Sequence, residues 1–238
     1  MGSVLALGEQ DGAPVLMVRT DAAEVERHLL GGALACPDCG GVLRPWGRVV
    51  GRRLRLESGE VVCGVRRGRC RLCGRTHVLL PLVALERRLD VIGTIGRALH
   101  LHALGTGQRS VARAVGRPEW TVRGWLRRAR ARAGLIRDHF ALLGHERFGC
   151  DLGRRPLATP IADALEVIGR VARAAVQQLG PLPLWQFVAG ATSGGLLRNT
   201  SALFPPAVAG SQAAAHAVIT TTTTAVAEEE AAHGRPPP

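Results

Sequence analysis

The chain has 238 residues, room for one ordinary domain or two small ones, with 46% hydrophobic residues but only 3% aromatic and no tyrosine. Its 31 basic residues, all arginine, outnumber 19 acids and give a formal charge of +12 at pH 7. No apolar run reaches the length of about 18 residues needed for a membrane span, and the first residues lack the basic and apolar regions of a signal peptide, so a cytoplasmic protein is expected.

The complete replacement of lysine by arginine, with abundant alanine, fits codon bias in a GC-rich genome, so part of the arginine content is compositional. Its placement says more. Residues 36–77 hold 10 arginines against 3 acids and residues 87–132 hold 11 against 2, while the rest of the chain is net acidic. One contiguous basic region favours a polyanionic partner.

In chain order, residues 14–19 suit a short strand. Asp21 to Leu30 suits a helix, with Asp21 as cap and Glu24 at the capping-box position. Alternation predicts strands over 49–56 and 61–69 around a turn at Glu57-Ser58-Gly59-Glu60. Residues 78–85 are apolar and contain Pro81, so a buried connector is expected there. From Leu89 to Leu143 the period is helical, broken at Gly105-Thr106-Gly107 and again at Gly116-Arg117-Pro118, with the pattern resuming beyond Gly134. Residues 160–179 form an amphipathic helix stopped by Gly180-Pro181, and residues 185–201 are mixed. After Phe204 come alanine, threonine, glutamate and proline runs that predict a disordered tail.

Four of the six cysteines form two Cys-x-x-Cys pairs, Cys36/Cys39 and Cys70/Cys73, with the expected hairpin between them. Two thiolates at that spacing grip a metal from one tight turn, and the following Gly40 and Gly74 can turn backbone amides toward the sulfurs. The set predicts a structural Zn2+ held by four cysteines, closed and therefore not catalytic. A redox role would call for a single pair in a thioredoxin-like setting. His77 is a conceivable further ligand, but four thiolates already complete the site; Cys63 and Cys150 stand outside it.

Residues 108–127 carry a second signal. Ala112 suits the crossing of two helices, Gly116 suits the turn, and Val122, Trp125, Leu126 and Ala129 make an inner face for the second helix. That leaves Trp120, Thr121, Arg123, Arg127 and Arg128 off the core, with Arg109 and Arg113 on the preceding helix. In a helix-turn-helix, the early residues of the second helix meet base edges and the arginines meet phosphate. Trp120 can equally serve in packing.

The stretches CPDCGGVLRPWG, RCRLCGRTHVLLP and GQRSVARAVGRPEWTVRGWLRRARAR resemble a group of proteins of GC-rich bacteria sharing a domain of unknown function. They are also similar to the front end of insertion-sequence transposases. The resemblance covers roughly residues 20–145 and implies a zinc-ribbon plus helix-turn-helix module for DNA recognition, often tied to mobile elements. The chain departs from a full transposase, because Asp138, Glu146, Asp151, Asp163 and Glu166 fall on helical patterns or loops with no sheet to converge them on metals. No phosphate loop or nucleophile triad appears, and enzymatic activity is not expected.

The expected fold is mainly α with a small β zinc ribbon, a three-helix helix-turn-helix bundle and a disordered C-terminal tail. Its segments are a strand-helix unit (1–35), the four-cysteine zinc ribbon (36–80), the helix-turn-helix domain (86–145), a C-terminal helical segment (155–203) and the tail (204–238). The expected function is binding of double-stranded DNA at the nucleoid, as a transcriptional regulator or a transposon-associated recognition module. A homodimer or a mobile-element protein would be a further partner. The alternative is an adaptor whose ribbon binds protein or RNA without sequence-specific DNA readout.

Overall fold

The computed structural model describes residues 15–152 and 157–198, so the segment expected as a tail lies outside the described residues. Those residues form β1 (Val15–Val18), α1 (Ala22–Gly31), β2 (Leu43–Arg55), β3 (Glu60–Cys70), β4 (Thr76–Pro81), α2 (Ile92–Ala103), α3 (Gln108–Ala114), α4 (Glu119–Phe148), α5 (Pro160–Leu179) and α6 (Leu184–Ala191). Among them no helix is long and apolar enough to cross a membrane.

The four strands make one sheet in the order β1-β4-β3-β2, with β1 parallel to β4 and the other neighbours antiparallel. Alternation along the strands gives the sheet two apolar faces. Leu16, Val18, Leu43 and Leu79 meet Val25 and Leu29 of α1 on one side, while Met17, Leu54, Cys63 and Leu80 join the helices on the other. Each fully buried leucine contributes roughly 1.5–3 kcal/mol. α1 begins as its sequence suggests, the Ala23 N–H donating to Asp21 Oδ1 at 2.8 Å. Glu24 turns instead to Arg19 at 2.7 Å.

Two strands differ from expectation. β2 starts at Leu43, ahead of the alternating stretch, because the breakers Pro45 and Gly47 are absorbed on an edge strand. The register shifts between Trp46 and Val50, and Gly47 has φ 65°. The apolar segment expected as a connector is strand β4 as far as Pro81. Beside Pro81 lies only β1, since pairing with β3 ends at Leu79, so the missing N–H interrupts no ladder there.

α2, α3 and α4 pack on one another, and α4 packs along α5. α4 runs unbroken through Gly134 for 30 residues, about 45 Å at 1.5 Å per residue. α5 is capped by Thr159, whose Oγ1 accepts from the Ala162 N–H at 3.2 Å, and Pro160 opens its first turn. One continuous apolar cluster runs from Met17, Leu54 and Leu80 through α2 and α4 to α5, α6 and Leu197.

Candidate metal centre and basic helix

The two cysteine pairs sit at the same end of the β2–β3 hairpin on turns of the same shape. In each, the glycine after the pair has positive φ (Gly40 72°, Gly74 71°) and its N–H donates to the carbonyl of the first cysteine, at 2.9 and 3.1 Å. The pairing of Leu43 with Cys70 lays one turn on the other. Cys36 and Cys70 belong to the apolar cluster under α1, whereas Cys39 and Cys73 are exposed.

The four sulfurs lie within 4.8 Å of one another. Two pairs join different turns, with Cys36 to Cys73 at 3.8 Å and Cys39 to Cys70 at 3.5 Å. A tetrahedron with metal–sulfur bonds of about 2.3 Å has edges of about 3.8 Å, so the donor set fits one metal ion. The Leu72 N–H donates to the Cys70 sulfur at 3.3 Å. Amide donation, led by Cys73, brings the Cys70 thiol down to about 7, while burial pushes that of Cys36 up to about 12. A metal would overcome the second effect by displacing the proton outright.

Sequence reasoning left His77 outside this site, and the structure puts it against it. Its ring is fully buried, with Nε2 3.2 Å from the Cys36 sulfur and 3.6 Å from Asp38 Oδ2, while Asp38 pairs with Arg75 at 3.1 Å. Burial lowers the His77 pKa and favours the neutral ring. Which of Nε2 and the Cys36 sulfur donates is set by the ring tautomer, and Nδ1 has no hydrogen-bond partner among the described residues. His77 is thus placed within hydrogen-bond reach of Cys36, a position that its place shortly after the second pair could have suggested. Cys36, Asp38 and His77 also form a second possible ligand set that shares Cys36 with the first.

The basic residues singled out on α3 and α4 fall into distinct settings. Val122, Trp125, Leu126 and Ala129 are buried, as is Ala112 where α3 meets its neighbours. On the opposite side Trp120 is 69% exposed, and Arg113, Arg123 and Arg127 are exposed with no hydrogen bond or ion pair to another described residue. Arg109 lies 3.5 Å from Glu119, which also accepts from Gln108 at 3.0 Å and so ties the start of α3 to the start of α4. Arg128 folds back along its helix, donating to the Gly124 carbonyl at 3.0 Å. Thr121 is half-buried, its hydroxyl unpartnered. Gly116, with φ 62°, makes the turn between the two helices.

A charged lock not evident from sequence joins this helical pair to the sheet. Asp90, 2% exposed, accepts from Arg55 of β2 at 2.7 Å and from Arg117 in the α3–α4 turn at 2.5 Å. Arg117 also donates to the Leu56 carbonyl at the hairpin tip, and Arg97 of α2 meets Glu57 at 2.5 Å. The later acids are elsewhere: Asp138 and Asp163 flank Arg137, and Glu166 pairs with Arg170. No family model, curated protein or solved structure matches this chain.

Proposed function

We propose that this protein binds double-stranded DNA through a helix-turn-helix formed by α3 and α4, with a structural zinc ion in the four-thiolate site. The observation that carries the reading is the contrast between the two sides of α4 over its first three turns. One side is buried apolar packing; the other presents Trp120, Arg123 and Arg127, with no partner for either arginine among the described residues. An unpaired guanidinium row on a helix that begins at a fixed turn is suited to a groove lined with phosphate. Arg109 and Arg113 supply further backbone contacts from α3, and Arg128 follows as a phosphate contact once released from its helix.

Four soft ligands at tetrahedral spacing favour zinc, which would contribute on the order of 10 kcal/mol to folding of the ribbon. The role is recognition without strand cleavage, at the nucleoid, as a transcriptional regulator or as part of a mobile-element system, alone or as a homodimer. Leu72, 74% exposed on the second cysteine turn, favours a second reading in which the ribbon docks a protein partner.

Fluorescence anisotropy with labelled duplex tests the first reading. With about six arginines on phosphate, affinity is expected to fall about 10³-fold between 50 and 200 mM salt. The Arg123→Glu/Arg127→Glu variant is expected to lose its chromosomal binding sites in genome-wide mapping. Affinity that stays flat with salt, or a binding profile unchanged in the variant, overturns it.

A further inference from the structure

We propose that the cysteine end of the β2–β3 ribbon is a second contact for the phosphate backbone of the same duplex that α4 engages. This rests on the reading of α4 for the identity of the partner, but on different residues. Cross-strand pairs share a face, so Leu54 with Val61, Arg52 with Cys63 and Val50 with Val65 lie on one side of the ribbon. Beyond the register shift that side continues as Trp46 opposite Arg67 and Arg44 opposite Arg69. Leu54 and Cys63 are covered by the helical body, whereas Val50 and Trp46 are 64% and 46% exposed and Arg67 and Arg69 are exposed. The ribbon therefore projects past the helices and carries a basic surface at its far end.

Most of the charge on that surface has no partner among the described residues. The exposed side chains of Arg48, Arg67 and Arg71 have no hydrogen bond or ion pair with another described residue. The neighbouring carboxylates of Asp38 and Glu26 are already taken by Arg75 and Arg66. Arg69 lies 4.6 Å over the Trp46 ring and donates to the Gly74 carbonyl at 3.2 Å, so its guanidinium is held in place. With one face of Trp46 occupied in this way, the indole serves as a mount for a cation and is poorly placed to stack between unpaired bases, which favours phosphate as the ligand. Pairing of another strand along the free edge of β2 is disfavoured by Pro45 and the register shift.

The Asp90 lock sets the distance between the two contacts. It fastens the hairpin tip beside the α3–α4 turn, and from Glu60, opposite Arg55, to Arg67, opposite Trp46, the ribbon spans about 23 Å at about 3.3 Å per residue. That exceeds the width of a major groove, about 12 Å. A single rigid unit would thus reach backbone on either side of the groove that α4 enters.

The test compares full-length wild type with Arg48→Ala/Arg67→Ala/Arg71→Ala, after checking that metal content and melting temperature are unchanged. The probe is a random-sequence DNA duplex of about three helical turns, with single-stranded RNA of equal length as competitor. Loss of three phosphate contacts should reduce the slope of log K against log salt by about 2.7, so the wild type's fall in affinity from 50 to 200 mM exceeds the variant's by about 40-fold. An unchanged slope, or tighter binding to the RNA than to the duplex in wild type alone, overturns the proposal. If the ribbon variant loses slope while Arg123→Glu/Arg127→Glu does not weaken binding, the ribbon contact stands and the α4 reading fails; the reverse outcome removes the ribbon contact alone.

Discussion

Gly41 is where the two cysteine turns approach most closely. A Cβ built there would lie 2.8 Å from the Leu72 Cβ and 2.9 Å from the Cys70 sulfur, so any side chain has to push the second turn away. Gly41→Ala is expected to lower metal affinity about 10- to 100-fold, the range found when groups that support ligands are disturbed. Competition against a chromophoric chelator measures it, and affinity equal to wild type would show that the turns can spread without loss. The cluster of four cysteines was legible in the sequence because Cys-x-x-Cys spacing is a property of one short turn. Gly41 was not, and His77 was visible only as a nearby candidate, because their contacts arise only when the second turn is laid on the first, and that follows from a register set by the whole hairpin.

Among the elements, the helices were easier to read than the strands. The inner face of α4 repeats every three to four residues, and Val122, Trp125, Leu126 and Ala129 are all buried as that period demands. β4 was hidden because both its faces are covered, Leu79 on one and Leu80 on the other, so it shows a plain apolar run without alternation. The Asp90 lock was equally silent, since Arg55, Asp90 and Arg117 are scattered along the chain. Its removal has a definite expected cost. Asp90→Ala strands two guanidiniums, one of them 9% exposed, and is expected to destabilise the protein by about 3 kcal/mol in urea unfolding. A loss of less than about 0.5 kcal/mol would place the pair among ordinary surface contacts.

Across the whole molecule, charge segregation was visible in the sequence, but the way the C-terminal helices close the body was not. Trp185 of α6 lies on Gly96 of α2, where a Cβ would meet the indole at 1.9 Å. Gly96→Ala is therefore expected to cost at least about 2 kcal/mol, read as a lowered melting temperature. The double variant with Trp185→Ala should recover part of that loss, and purely additive effects would mean that the two residues do not oppose each other. A different consequence follows from the parallel pairing of β1 with β4, in which Val15 lies beside Val78. During synthesis β1 leaves the ribosome long before its partner strand exists, and its apolar face has to wait. Cys73, the last of the four thiols, emerges just ahead of Thr76, the first residue of that partner. With the four thiols holding an ion as proposed, its capture and closure of the sheet would fall at the same moment of translation, and metal supply to the nascent chain would set how long that strand stays open to wrong partners.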